Sequence, residues 1–213
     1  MRFLKQFVIQ LIKRHLWKLP QGMLDRAIVY SILHGQFKRL FQTNRIAGRE
    51  DLWDYTLETI GRNRKVLFLE FGVYKGESFR YFAAVLTNPG SRLIGFDSFE
   101  GLPEDWGHRP AGSYSAGGVL PDMVDPRVLF KAGWFQETLP LQEFDVTAYD
   151  AVLVHMDADL YSSSLFVLSE LWRKLNNIYV IFDEFVGDET RALFNFTQAF
   201  PCEVEFIAHD AMP

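Results

Sequence analysis

Short apolar runs alternate along this chain with stretches of helical periodicity. Val66–Phe71 (VLFLEF), Arg92–Phe99 (RLIGFDSF), Val128–Phe135 (VLFKAGWF), Ala151–Met156 (AVLVHM), Ile178–Phe182 (IYVIF) and Val204–Ala208 (VEFIA) are each rich in branched and aromatic residues. Runs this short, bounded by glycine or polar residues, predict strands covered on both faces. Leu160–Leu175 and Glu189–Phe200 instead place apolar residues at helical spacing. Strand and helix alternating at a period of about thirty residues predict an α/β fold with a mostly parallel sheet, right-handed crossovers and helices on both faces.

The first sixty residues are patterned differently. Met23–Phe41 repeats Leu24, Ile28, Ile32, Leu33, Phe37 and Leu40, and Glu50–Ile60 predicts a further helix. Residues 1–60 therefore read as an N-terminal helical extension or lid, and 61–213 as one α/β domain. Met1–Lys18 puts Phe3, Leu4, Phe7, Val8, Leu11 and Ile12 on one face, with Arg2, Lys5, Lys13, Arg14 and Lys18 elsewhere. Such an amphipathic basic helix is too charged to span a bilayer and lacks the small-residue cleavage site of a secretory signal. Two roles are open to it: packing on the protein's own core or on a second copy in a homo-oligomer, or lying on an anionic membrane surface. His34, on the second stretch, reads as a surface or packing residue rather than a ligand.

Between the second and third strands, Glu100–Asp125 is rich in glycine and proline and carries mixed charge. A connection of that length in one domain is usually functional, and it is expected to act as a lid over an acceptor pocket.

Composition narrows the class. At 213 residues and 24.7 kDa with 48% apolar and 23% charged residues, the chain has enough material for one well-packed domain. A net charge of −5 without a basic cluster beyond the N-terminus argues against nucleic-acid binding. The single cysteine, Cys202, excludes an internal disulfide framework and fits a cytoplasmic protein, one that could also be peripheral to the membrane through residues 1–18.

The candidate chemistry gathers at strand ends. Val66–Ser78 (VLFLEFGVYKGES) is a strand delivering a turn in which Gly72 and Gly76 allow tight backbone and close ligand approach, with Ser78 beside the next helix. Glu70, Gly72 and Gly76 do not make the dinucleotide fingerprint G-x-G-x-x-G, so a nicotinamide oxidoreductase is disfavoured. Asp97 ends the neighbouring strand, followed by Ser98, and is placed to accept ribose hydroxyls. Asp157 and Asp159 follow the fourth strand, Asp183 and Glu184 the fifth. Carboxylates converging there repel one another unless a cation intervenes, and hard oxygen donors suit Mg²⁺. The competing reading has Asp159 capping the following helix and Asp157 paired with an arginine.

Taken together, EFGVYKGES, GFDSFEGLP, KAGWFQETLP, HMDADLYSS and VIFDEF, in this order from Lys65 to about Glu184, resemble the macrocin O-methyltransferase (TylF/MycF-type) family of S-adenosylmethionine-dependent enzymes. The glycine turn and the aspartates after the fourth strand also bear a more distant likeness to catechol O-methyltransferase. The resemblance implies a Rossmann-like class I methyltransferase fold, which normally closes with a final antiparallel strand; the sequence reaches Pro213 where that strand is expected, so either the sequence is truncated or the sheet edge is completed otherwise, as by a partner. The resemblance also implies S-adenosylmethionine as cofactor, with Glu70, Gly72, Tyr74 and Ser78 at its methionine end and Asp97 and Ser98 at the ribose. Phe99, or Phe135 and Gln136, would lie against the adenine. Asp157, Asp183 and Glu184 fall on positions resembling the family's metal ligands, and the N-terminal helices on a lid or subunit contact. The implied reaction is O-methylation of a small-molecule hydroxyl, on a sugar or glycosylated natural product, with Asp159 or Asp157 as the base. A catalytically silent partner protein of the same fold is the alternative.

Overall fold

The computed structural model describes residues 20–210; the expected basic helix over Met1–Lys18 lies outside them. Five parallel strands form the central sheet: β2 (Val66–Phe71), β3 (Arg92–Asp97), β4 (Val128–Ala132), β5 (Ala151–Met156) and β6 (Tyr179–Phe182), in the spatial order β4-β3-β2-β5-β6. The chain moves outward from β2 through β3 to β4, then returns across the sheet to β5. The strand order therefore reverses between β2 and β5, and a cleft opens beyond their carboxyl ends, the place where such sheets bind ligands.

β2 is buried at every position, and its alternating side chains feed two cores. Leu67, Leu69 and Phe71 face α5 (Tyr161–Lys174) and α6 (Asp188–Ala199), packing with Val154, Met156, Val167, Leu171, Leu193 and Phe196. Val66 and Phe68 face α2 (Arg49–Ile60) and α3 (Glu77–Val85), packing with Trp53, Leu57, Ile60, Phe79, Phe82 and Leu153. Glu70 belongs by parity to this second face, as does His155 on β5; both are fully buried.

Before the sheet come α1 (Gln21–His34), a 3₁₀ turn over Lys38–Gln42, and α2. His34 is exposed and stacks between Tyr30 and Phe41, at ring distances of 4.1 and 4.7 Å, so it serves packing. No helix among the described residues is long and apolar enough to cross a membrane.

Two strand expectations need correction. The third strand stops at Ala132, not Phe135, because Gly133 takes φ +136 and turns the chain into the short helix α4 (Phe135–Thr138). The sixth strand does not join the central sheet. Only Ala208–His209 (β7) is extended and paired, and its parallel partner is β1 (Asn44–Arg45), with Ile46 N–H donating to the His209 carbonyl at 2.8 Å. Ahead of β7, Phe206 sits against Phe37 and Phe185, at 5.3 and 6.0 Å. Aromatic burial, rather than a ladder, holds that segment.

Residues 100–125 are irregular, as their composition demands, yet closely tied. Leu102 N–H donates to the Ser113 carbonyl and Gly112 N–H to that of Leu102, both at 2.8 Å, while Trp106 and Arg109 exchange backbone bonds. At the end of the segment the Arg127 guanidinium grips Asp125 (2.6 Å) and the carbonyls of Ala83 (2.8 Å) and Leu86, at the C-terminus of α3.

Candidate active site

A cavity of about 370 Å³ opens at the carboxyl ends of β2, β3, β5 and β6. One wall is the turn after β2. Gly72, at φ +93, leaves no room for a side chain: a Cβ would lie 1.9 Å from the Asp157 carbonyl oxygen. The turn is fixed from the opposite side by Asp97, whose Oδ2 accepts the backbone N–H groups of Val73 (2.7 Å) and Tyr74 (2.6 Å), while Oδ1 accepts that of Phe99 (2.6 Å). Tyr74 carries φ +51, a left-handed conformation rare for a tyrosine. Gly72, Tyr74, Ser78, Asp97, Ser98, Phe135 and Gln136 all line the cavity, together with Trp134. Gly101, Leu102, Pro103 and Tyr114 of the long segment form its outer wall.

Two expected cofactor neighbours stand elsewhere. Glu70 is buried behind the turn, where it accepts from the Ser78 hydroxyl and faces His155 Nδ1 at 3.3 Å. Phe99 takes φ +58, which swings its ring away from the cavity into the core beside Phe130. It does not line the cavity, whose aromatic lining there is Trp134 and Phe135.

The other wall is acidic: Asp157, Asp159, Asp183 and Glu184. Register accounts for their convergence. Met156 pairs with Phe182 across β5 and β6, so Asp157 and Asp183 leave their strands at the same level. Burial, and then the charge of Asp183, push the Asp157 carboxyl up to about 7. Asp159 is likewise pushed up to about 7, by burial first and then by Glu184 and Asp183. Burial acts to raise Asp183 too, but His155 and Arg49 outweigh it and hold this carboxyl below its ordinary range. His155, fully buried, is itself pushed up to about 10: burial opposes the charge, but Asp183 and Glu70 prevail. It does not line the cavity, so it does not stand where a base for the acceptor would be needed. Asp159 does not cap the following helix; no side chain caps α5, and Asp159 takes φ +57 at the cavity edge.

One residue in the site escaped the sequence reading. Arg49, the first residue of α2, lies 2.9 Å from Asp183 Oδ1 through Nε and 3.8 Å from Asp157 Oδ2 through Nη2. An arginine thus stands near Asp157, as one half of the competing reading has it, while the helix cap by Asp159, its other half, is not formed. The signal was slight: an arginine just ahead of a helix that was expected to begin at Glu50.

Comparison with known proteins agrees with this geometry. The chain is 30% identical over 168 residues to a demethyldecarbamoylnovobiocin O-methyltransferase from Streptomyces niveus, covering 65% of this chain and 63% of the relative. It is 30% identical over 145 residues to an 8-demethyl-8-(2,3-dimethoxy-alpha-L-rhamnosyl)-tetracenomycin-C 4'-O-methyltransferase from Streptomyces olivaceus, covering 58% and 54%. The chain thus spans less than two thirds of the length of either. Among solved structures, the calicheamicin methyltransferase CalS11 shares the fold, with a TM-score of 0.52 at 20% identity over 89% of this chain and 81% of that one. Residues 69–185, more than half of the chain and every strand-end residue described above from Glu70 to Glu184, match a methyltransferase-domain family, and it is to this family that the chain belongs.

Proposed function

We propose that the chain transfers a methyl group from S-adenosylmethionine to a hydroxyl oxygen of a small molecule, and that the acceptor is a sugar or a glycosylated natural product. One observation carries the reading: a single cavity has the glycine turn and Asp97 on one wall and the acids of β5 and β6 on the other. The first wall suits a nucleoside-bearing cofactor, the second the activation of a hydroxyl. The names of the two Streptomyces relatives support oxygen as the methylated atom and a glycosylated molecule as the acceptor class.

The residues present fit the cofactor. Asp97 Oδ1 spends one lone pair on Phe99 N–H and keeps capacity for a ribose hydroxyl. Trp134, Phe135 and Gln136 offer a flat and hydrogen-bonding surface for an adenine. When bound, S-adenosylmethionine supplies a methyl group on a positively charged sulfur. Asp159, at the cavity edge with its carboxyl pushed up to about 7, is matched to accept the acceptor's hydroxyl proton near neutral pH. As the oxygen gains the methyl group, the proton passes to Asp159. The long segment, through Leu102, Pro103 and Tyr114, covers the acceptor and keeps water away. Alignment within the walls supplies much of the rate, since holding two reactants in line is worth about 7–11 kcal/mol at best.

The sequence also points to a divalent cation held by Asp157, Asp183 and Glu184. As folded, these residues do not make such a site. Among the described residues no three His, Cys, Asp or Glu side chains are grouped to hold a metal ion, and Arg49 bridges Asp157 and Asp183. No step above is routed through a metal.

The test is calorimetric titration of S-adenosylhomocysteine into the protein, followed by transfer of labelled methyl from S-adenosylmethionine to a panel of glycosylated and free hydroxylated acceptors. Micromolar binding and label on oxygen are expected. Absence of binding overturns the reading, and binding without transfer to any hydroxyl favours a silent partner protein.

A further inference from the structure

Arg49 precedes the central sheet by the whole length of α2, yet its guanidinium reaches the acids at the sheet's carboxyl edge. It is held on three sides: by Asp183 Oδ1 at 2.9 Å, by Asp157 Oδ2 at 3.8 Å, and by the ring of Trp53, 4.7 Å beneath it. Trp53 is itself locked in the core, edge-on to His155 at 5.4 Å. Although the Arg49 side chain is half exposed, its guanidinium is thus directed by a buried ring beneath it and two carboxylates beside it.

The position matters because of what it separates. Asp157 and Asp183 emerge at one level from neighbouring strands, and two carboxylates so placed repel one another unless a proton or a cation intervenes. His155 faces Asp183 from the buried side at 3.6 Å, and Arg49 faces the pair from the cavity side. A guanidinium is permanently charged, planar and only weakly hydrated, and so suits this role within a protein. We propose that Arg49 is the resident counter-cation of the Asp157–Asp183 pair on its cavity side, filling from within the chain the position in which a divalent ion would otherwise be held, and so positioning both carboxylates for the acceptor. The inference rests on the O-methylation reading for its meaning, but not for its test. It makes Arg49 a positioning residue and sets this chain apart from one that must recruit its cation from solution. It also ties the helix α2 to the chemistry, since the charge balance of the acid wall holds only while α2 is docked.

The consequence is a gain rather than a loss. Arg49→Gln removes the guanidinium and leaves His155, 3.6 Å from Asp183 Oδ1 on the buried side, as the pair's remaining cation. The cavity side then presents the oxygen donors that hard divalent ions take. The experiment is titration of Mn²⁺, followed by the paramagnetic resonance of the free ion, into wild type, Arg49→Gln, Arg49→Lys and the double variant Arg49→Gln with Asp157→Asn. S-adenosylhomocysteine calorimetry is run in parallel on each protein. Arg49→Gln is expected to bind Mn²⁺ about tenfold or more tightly than wild type, Arg49→Lys to return toward wild type, and the double variant to lose the gain. No gain in Arg49→Gln overturns the proposal, whether or not wild type binds the ion, and so does a gain that survives Asp157→Asn. Thermal melting of each variant shows that it is folded, and Arg49→Met repeats the comparison should Arg49→Gln melt early. Failure of S-adenosylhomocysteine to bind wild type sinks the methyltransferase reading while leaving the Mn²⁺ comparison to decide the role of Arg49.

Discussion

Asp97 Oδ2 accepts the backbone N–H of Tyr74 at 2.6 Å, so the acid that ends β3 holds the conformation of the turn that ends β2. Through the same oxygen it holds Val73, and through the other Phe99. Replacing it removes the internal scaffold of the turn and any bond to a ribose together. Asp97→Ala is expected to weaken S-adenosylhomocysteine binding by tenfold or more, about 1.4 kcal/mol, in calorimetric titration. Unchanged affinity would remove Asp97 from the cofactor site.

Gly72 has no tolerance for a side chain. Its Cβ would stand 1.9 Å from the Asp157 carbonyl oxygen, a backbone atom, and its φ of +93 is strained for any other residue. Gly72→Ala is expected to cost about 3 kcal/mol or more, read as a lowered midpoint in urea unfolding. It should also reduce activity beyond the loss of folded protein, because the clash displaces the acid wall.

The acids give a signed dependence on pH. With its carboxyl near 7 instead of the ordinary 3.8, Asp159 is protonated below neutrality and able to accept a proton above it. Turnover at saturating substrate should rise with pH through about 7, and Asp159→Asn should remove that limb together with most of the activity. Stability runs the other way. A carboxyl whose folded value is raised binds its proton more tightly when folded, so its stabilising effect is complete below about 4 and is lost as pH rises through about 7. Asp157 acts in the same sense. Asp157→Asn and Asp159→Asn should therefore flatten the fall in melting temperature between pH 5 and 8, relative to wild type.

Arg127 fastens the end of the long segment to the C-terminus of α3, pairing with Asp125 and meeting the carbonyls of Ala83 and Leu86. A cation there also suits the negative end of the helix. Arg127→Ala is expected to destabilise the protein by about 2 kcal/mol in denaturant unfolding. If it leaves stability unchanged, the segment is held by its own turns.

Much of this was legible from residue order because the determinants are local. The run Val66–Phe71, the glycines after it and an acid at the end of the next strand announce a strand, a turn and a contact within a few residues of one another. Where the outcome turns on one dihedral, the reading failed: Phe99 was expected at the adenine, but φ +58 sends it into the core, and Gly133 cuts the third strand short. Where it turns on distant partners, it failed too. Val204–Ala208 has the composition of a strand, but Phe37 and Phe185 compete for Phe206, and Asn44–Arg45 supply the only pairing that β7 takes among the described residues. Arg49 belongs to the same class, since nothing near it in the chain says which acids it will meet.

The pairing of β1 with β7 has a consequence for the order in which the molecule assembles. It joins two segments on either side of the whole central sheet, whereas β2 and β3 pair across the single helix α3, and even β2 and β5 are closer in the chain than β1 and β7. The entropy of closing so long an interval is recovered only once the intervening sheet has already drawn its ends together. The two-residue ladder is therefore a late event on the way in and an early one on the way out. The amide of Ile46, bonded to the His209 carbonyl, becomes a reporter of the last step of folding, one that exchanges with solvent while the central sheet is still intact.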